Sequence, residues 1–110
     1  MTSEPEWEGL FDFSNPGIQE WEVENIREAA RNGKLGVEEY AIRRAQGRGI
    51  RIKDVSATVR TGKAVEKDLP SHPSRAPGIA FERTISSTMR VKVKVGFRPG
   101  RYVVVTVHEV

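Results

Sequence analysis

Apolar and polar residues alternate strictly over residues 89–97, which is the clearest pattern in the chain. One face carries Val91, Val93, Val95 and Phe97, and the other carries Arg90, Lys92, Lys94 and Gly96. A period of two is typical of a half-buried antiparallel strand. The next residues favour a type II turn, because Pro99 suits its second position and Gly100 accepts the positive φ of its third. The pattern therefore predicts a β-hairpin that returns through a strand over residues 102–108.

The returning strand is rich in valine, which favours a central place in the sheet. Strict alternation places Tyr102, Val104, Thr106 and His108 on one face and Val103, Val105 and Val107 on the other. Residues 79–85 are a further predicted strand, and residues 64–67 are a short edge strand. Between these two strands the pattern predicts an exposed loop over residues 69–78, which contains Pro70, Pro73 and Pro77.

The first half of the chain shows helical periodicity. A first helix begins near Ser14 or Asn15, has Pro16 in its first turn and ends at Gly33. We expect one stripe of this helix to contact the core, namely Ile18, Trp21, Asn25, Ile26, Ala29 and Ala30. A second helix is predicted over residues 37–46, and a third over residues 53–60, just before Gly62.

These elements predict an α+β fold in which N-terminal helices pack on a twisted antiparallel sheet of about four strands. A chain of 110 residues has room for one such domain, which we place at residues 14–110. Residues 1–13 form an acidic N-terminal segment that also contains Trp7, Leu10, Phe11 and Phe13. Because four large apolar groups are costly to leave in water, we expect this segment to dock on the domain; a flexible tail is the alternative.

Charge is divided unevenly along the chain. Residues 1–39 contain ten acidic and three basic residues, whereas residues 40–110 contain five acidic and fifteen basic residues. A basic half of this kind is typical of proteins that contact phosphate. The alternative is an ordinary basic sheet that an acidic helix of the same molecule neutralises.

Other features narrow the class of protein. The chain has no cysteine and two widely separated histidines, so neither a disulfide nor a zinc site is expected. Its apolar runs are too short to span a membrane, and its acidic N-terminus is unlike a signal peptide. We therefore expect a cytoplasmic protein that makes no membrane contact.

Two groups of residues have the chemistry to act on a phosphodiester. Tyr40 and Arg44 lie four positions apart and share a helix face, and Arg48 lies one turn further on if the helix persists past Gly47. Guanidiniums there can bind phosphate oxygens in a bidentate manner. His108 can act as a general base or acid, since a histidine ordinarily titrates near neutrality. The alternatives are that the arginines pair with acids of the first helix, and that His108 is an exposed histidine near a chain end.

Residues 37–110 also carry an ordered series of short motifs: Arg44, Arg48, Gly49, Ile50, Asp54, Val55, Gly62 and the run Val104-Val105-Thr106-Val107. In these motifs the chain resembles a small bacterial domain-of-unknown-function family. Its signature is histidine, three residues, arginine, three residues, arginine-glycine-isoleucine, and then aspartate-valine. The family's leading histidine is Tyr40 here, and Arg51 replaces the serine or threonine that usually caps the third helix. The resemblance implies a RelE- or barnase-like fold, of the group that also includes EndoU and colicin nucleases.

The same resemblance implies a toxin-like, metal-independent endoribonuclease that needs no cofactor and cleaves RNA by attack of the 2′-hydroxyl on the phosphodiester. By this analogy, the expected catalytic residues are His108, Tyr40, Arg44, Arg48 and Thr106. The expected RNA-binding residues are Arg43, Arg90, Lys92, Lys94, Arg98 and Arg101. The expected partners are RNA and an acidic antitoxin or immunity protein.

Two other functions fit the same residues. In a non-catalytic RNA- or protein-binding module, the cations would supply affinity and Tyr40 would mark a lost active site. In a purely structural or partner-binding domain, the basic face would meet an acidic protein. Cleavage of RNA that depends on His108 distinguishes the first function from both of these.

Overall fold

A computed structural model describes residues 9–70 and 76–110 of the chain. Within these residues the structure contains three helices and five strands. The helices are α1 (Glu20–Arg31), α2 (Glu39–Gly47) and α3 (Ile52–Thr61), and the strands are β1 (Gly36–Val37), β2 (Lys63–Asp68), β3 (Gly78–Ser86), β4 (Met89–Arg98) and β5 (Arg101–Glu109). Trp7 of the predicted docking segment and residues 71–75 of the predicted loop lie outside the described residues. No described helix is long and apolar enough to cross a membrane.

The α+β class is confirmed, and the sheet is mixed rather than purely antiparallel. Its strand order is β1-β5-β4-β3-β2, and the four longer strands are antiparallel neighbours, as the sequence predicts. The fifth strand was not predicted. It is the two-residue β1, which pairs in parallel with β5 through Gly36 opposite Val103 and Val37 opposite Val104. A two-residue strand is too short to produce a periodic pattern, so only the contact with β5 reveals it.

The core lies between the three helices and one face of the sheet. Strand β4 contributes Val91, Val93, Val95 and Phe97, the four residues that the alternation assigns to one face. The helices cover them with Ile26, Ala41, Ala45, Val55 and Val59, all of which are buried. Burying a valine side chain contributes roughly 1.5 kcal/mol or more, so this apolar stripe fixes which face of β4 points inward. The opposite face, with Lys92 and Lys94, is left uncovered by helices.

Strand β5 contains a β-bulge that corrects the predicted assignment of its faces. Lys94 pairs with Thr106 but Val95 pairs with Val104, so one extra residue, Val105, is inserted in β5. Tyr102 and Val104 therefore belong to the core, together with Val107. The prediction that Tyr102, Val104, Thr106 and His108 share one face is wrong. Of these four residues, Thr106 and His108 lie on the uncovered face and the other two do not, because the bulge shifts the alternation by one residue.

Helix α1 begins later than predicted, and a different set of its residues is buried. Its N-cap is Gln19, because the side chains of Ser14 and Asn15 are used in the preceding turns. Trp21, which the predicted stripe places in the core, is 41% exposed. The buried residues are Glu22, Ile26 and Ala30. The predicted stripe was wrong at Trp21 and at Asn25, which is also exposed. It left out Glu22, whose carboxylate occupies one of the buried positions.

Glu22 is buried with Lys67 of β2 as an ion pair. The two side chains are 0% and 1% exposed, and the Lys67 Nζ lies 2.9 Å from a carboxylate oxygen. The same carboxylate accepts hydrogen bonds from the backbone nitrogens of Asp12, at 2.8 Å, and Gln19, at 3.0 Å. A buried carboxylate requires such a set of hydrogen-bond donors and a charge partner. This pair therefore joins β2, the start of α1 and the end of the N-terminal segment.

The N-terminal segment docks through Phe11. This ring is 3% exposed, and its centroid lies 4.8 Å from that of Phe97 and 5.4 Å from that of Phe13. The Tyr102 hydroxyl also donates a hydrogen bond to the Leu10 carbonyl, at 2.6 Å. Leu10, Phe11 and Phe13 thus pack on the domain.

The connection from α3 to β2 leaves no room for a side chain at Gly62, and Arg27 holds it by hydrogen bonds. A Cβ atom on Gly62 would lie 2.4 Å from the Thr58 carbonyl oxygen and 2.6 Å from that of Glu82, so only glycine fits. The Arg27 guanidinium donates hydrogen bonds to the carbonyls of Arg60, at 2.7 Å, and Gly62, at 2.9 Å. A cation at a helix C-terminus is favoured by the helix dipole.

The other two helices have nearly the predicted bounds. Helix α3 has Arg51 at its N-cap without a side-chain capping bond, as expected for a residue that has no short side-chain oxygen.

Candidate functional site

The uncovered face of the sheet holds a polar pocket of about 370 Å³. It is lined by Glu66, Asp68, Ala76, Ala80, Lys92, Lys94, Thr106 and His108. The registers place Thr106, Lys94 and Ala80 in one row across β5, β4 and β3. Because Ala80 has only a methyl group, longer side chains on both sides of β3 surround a hollow. The sheet register, rather than any loop motif, therefore builds the pocket.

Two parallel ion pairs run across this pocket. The Lys92 Nζ lies 3.1 Å from the carboxylate of Glu66, and the Lys94 Nζ lies 2.7 Å from that of Asp68. Further along β4, Arg90 pairs with Glu82 at 2.9 Å. The predicted row of cations is thus present, but carboxylates of β2 and β3 partly neutralise its charge. The acids that pair with it come from β2 and β3, not from an acidic helix.

His108 is half-buried at the β5 side of the pocket, directly opposite Lys92 in the β4–β5 ladder. Burial lowers the pKa of His108 below its usual 6.5, and the cations of Lys92 and Arg44 lower it further. The carboxylate of Glu66 acts in the opposite direction, and Arg48 adds a smaller lowering effect. The imidazole is therefore mainly neutral at pH 7 and can accept a proton.

Helix α2 packs against β5. Arg44 lies on this helix and Arg48 is its C-cap residue. Both cations are close enough to His108 to lower its pKa. Neither arginine forms an ion pair with any residue that the structure describes. The alternative in which they pair with acids of α1 is therefore not observed. The Arg44 guanidinium lies 5.9 Å from the centroid of the Tyr40 ring. Two guanidiniums that have no carboxylate partner in the described part of the chain, and that act electrostatically on a neutral imidazole, form a suitable environment for an anion.

The remaining predicted residues lie farther from the pocket. Tyr40 is 58% exposed and does not line it. Arg43 pairs with Glu39 on the surface of α2, and Arg98 pairs with Glu38 at 2.6 Å. Arg98 and Arg101 face each other at the β4–β5 turn. That turn is about 20 Å from His108, given seven residues of strand at ~3.3 Å each.

Sequence reasoning missed the acidic half of the pocket. Glu66 lies in the predicted edge strand and Asp68 directly follows its last residue; the structure extends β2 to Asp68, and the spacing of two then places both acids on one strand face. That spacing was visible, but nothing in the chain shows that β2 pairs with β3 or that Ala80 leaves room between them. The described residues contain no cluster of three or more histidines, cysteines or acids able to hold a metal ion.

The fold and the site together define an α+β domain whose mixed sheet carries a histidine-containing polar pocket, with Arg44 of α2 and its C-cap Arg48 close enough to act electrostatically on that histidine. No protein-family model, curated protein or solved structure matches the chain. The function of this chain is therefore inferred from the geometry of the pocket.

Proposed function

We propose that this domain is a toxin-like, metal-independent endoribonuclease whose active site is the pocket on the uncovered face of the sheet. The observation that carries the proposal is the position of His108. Its neutral imidazole lies in the pocket, and the guanidiniums of Arg44 and Arg48 are near it without carboxylate partners among the described residues. An RNA phosphodiester is an anion with an adjacent hydroxyl that can be deprotonated. It therefore complements both features.

Arg44 and Arg48 bind the scissile phosphate in this proposal. A guanidinium offers a planar fork of donors to phosphate oxygens and keeps its charge at every relevant pH. Arg44 lies on α2, which packs against β5, and Arg48 is the C-cap residue of the same helix, so the backbone of both is anchored beside β5. As charge develops on the phosphorane oxygens, these donors bind the transition state more strongly than the ground state.

His108 is the general base. It takes the proton of the ribose 2′-hydroxyl, whose oxygen then attacks the adjacent phosphorus. A base must be unprotonated to act, and the lowered pKa of His108 meets that requirement at neutral pH. Thr106, two residues earlier on the same face, has a hydroxyl that can donate to a non-bridging phosphate oxygen. Tyr40 lies outside the pocket, and its ring contact with Arg44 gives it a positioning role.

A non-catalytic RNA- or protein-binding module is the second candidate, and one observation favours it. Glu66 and Asp68 line the same pocket, and their carboxylates repel phosphate and reduce the net charge of the cation row. In such a module Arg44 and Arg48 would supply affinity, and His108 would contribute little. Outside the pocket, exposed cations such as Arg48 and Arg101 would also suit an acidic antitoxin or immunity protein in the cytoplasm.

The test is cleavage of a structured RNA by the purified protein in excess EDTA, analysed by gel and by mapping of the product ends. We compare wild type with His108→Ala and Arg44→Ala, and use Arg43→Ala as the matched control. Arg43 is the neighbour of Arg44 but already pairs with Glu39 on the helix surface. Cleavage to 2′,3′-cyclic phosphate ends that His108→Ala and Arg44→Ala suppress, and Arg43→Ala retains, supports the ribonuclease. RNA that binds but stays intact with folded wild-type protein supports the binding module.

A further inference from the structure

Lys92 lines the pocket between a base, His108, and an acid, Glu66. Across the β4–β5 ladder it is directly opposite His108, and on its other side its ammonium lies 3.1 Å from the Glu66 carboxylate. Its side chain is 21% exposed, so the group is held inside the pocket and remains in contact with solvent. A base on one strand and a proton-bearing cation on the next are thus paired within one pocket.

We propose that Lys92 is the general acid of the cleavage reaction and that Glu66 positions its ammonium group. This inference rests on the proposed ribonuclease function, and it assigns the second proton transfer to Lys92 instead of Tyr40, which the resemblance names only as a catalytic residue. Cleavage by 2′-hydroxyl attack needs a group that protonates the departing 5′-oxygen, because an alkoxide is a poor leaving group in water.

The proposed reaction balances without a metal or a co-reactant. His108 removes the proton of the 2′-hydroxyl, and the 2′-oxygen forms a bond to phosphorus. The bond between phosphorus and the 5′-oxygen breaks, and that oxygen takes a proton from the Lys92 ammonium. The products are a 2′,3′-cyclic phosphate and a 5′-hydroxyl. His108 is then protonated and Lys92 is a neutral amine, and exchange of both with water restores the starting state.

The geometry favours Lys92 over the other proton donors nearby. Tyr40 is 58% exposed, does not line the pocket, and has its ring against Arg44. Lys94 lies one row further along β4, opposite Thr106 instead of the base. The arginines keep their protons throughout, since a guanidinium does not lose a proton in proteins. Of these groups, Lys92 alone combines a transferable proton with a place opposite His108.

Glu66 acts through Lys92. Its carboxylate accepts a hydrogen bond from the Lys92 ammonium. It approaches from β2 across the small side chain of Ala80. An ammonium on four rotatable carbons samples many positions unless a partner fixes it. The Asp68–Lys94 pair has the same arrangement two residues further along both strands, so it provides a control of matched chemistry within the same pocket.

The experiment compares two dinucleotide substrates, one with the natural 5′-oxygen and one with sulfur at that bridging position. A thiolate leaves without protonation, because a thiol has a pKa near 8.5 and an alcohol is far less acidic. Lys92→Arg keeps the positive charge but removes the transferable proton. We expect it to slow cleavage of the oxygen substrate by about 10²-fold or more and that of the sulfur substrate by only a few-fold. Lys94→Arg should leave the ratio of the two rates unchanged.

Other outcomes separate the inference from the proposed function. If Lys92→Arg slows both substrates equally, or slows neither, Lys92 is not the acid, even though His108→Ala still suppresses cleavage. If folded wild-type protein cleaves neither substrate, the ribonuclease function itself fails. Glu66→Gln tests the positioning role: it should reduce cleavage of the oxygen substrate more than that of the sulfur substrate, whereas Asp68→Asn should not discriminate between them.

Discussion

Lys92 and His108 are directly opposite each other in the β4–β5 ladder, and Lys92 is the charged neighbour that most lowers the pKa of His108. This relationship links the two proton-transfer groups of the proposed reaction. A cation beside an imidazole favours its neutral form, so the residue proposed to donate a proton also keeps the base ready to accept one.

The pH dependence of cleavage follows from the state of His108. Because its pKa is lowered from 6.5 and the base must be neutral, kcat/KM should be flat near pH 7 and fall only below pH 6.5. Lys92→Met removes the main cationic cause, so the pKa of His108 should rise. NMR titration of the His108 ring protons measures this directly, with Lys94→Met as the control. A histidine pKa that stays the same in Lys92→Met would contradict the account.

RNA affinity should depend on α2 more than on the cation row of β4. Arg44→Ala and Arg48→Ala each remove a cation that has no carboxylate partner among residues 9–70 and 76–110. We expect each to weaken binding of a non-cleavable 2′-O-methyl RNA and to reduce the slope of log K against log salt by about 0.7 to 1. Arg43→Ala and Arg98→Ala, whose cations are paired, serve as controls. Equal losses in all four variants would indicate diffuse surface binding instead.

Breaking the buried Glu22–Lys67 pair should destabilise the whole domain. Glu22→Gln or Lys67→Met alone leaves one charge buried without its partner, which typically costs about 3–5 kcal/mol. The double variant Glu22→Gln with Lys67→Met removes both charges and should recover part of that loss. Urea unfolding of the three variants measures the coupling. If the double variant loses the sum of both single losses, the two residues contribute independently and the pair is not coupled.

The raised pKa of Tyr102 should be detectable in an alkaline titration. Burial raises its pKa from 10.0 to about 12, so between these values the folded state keeps a proton that the unfolded chain loses. Stability should therefore fall as pH rises from about 10 towards 12. Tyr102→Phe abolishes this dependence and, because the Leu10 carbonyl loses its donor, should cost about 1–3 kcal/mol at neutral pH. Ultraviolet absorbance of tyrosinate against pH, compared between the two proteins, tests the assignment.

The sequence by itself determined the local elements whose signals are contained in a few neighbouring residues. The alternation over residues 89–97 placed Val91, Val93 and Val95 in the core, and Pro99 with Gly100 marked the hairpin turn, where Gly100 has φ of 77°. The four-residue spacing on the second helix also placed Arg44 on the same helix face as Tyr40, whose ring centroid lies 5.9 Å from the Arg44 guanidinium. In each case the cause is local: side-chain periodicity and the backbone preferences of proline and glycine act over one turn or one strand.

Only the tertiary structure decided which strands are neighbours and which charges meet. The bulge at Val105, the short parallel strand β1 and the pairing of β2 with β3 arise from contacts between residues far apart in sequence. These contacts brought Glu66 to Lys92 and turned Tyr102 away from His108. They also buried Glu22, which an apolar stripe cannot predict, because a charged side chain enters the core only when a distant partner such as Lys67 compensates it.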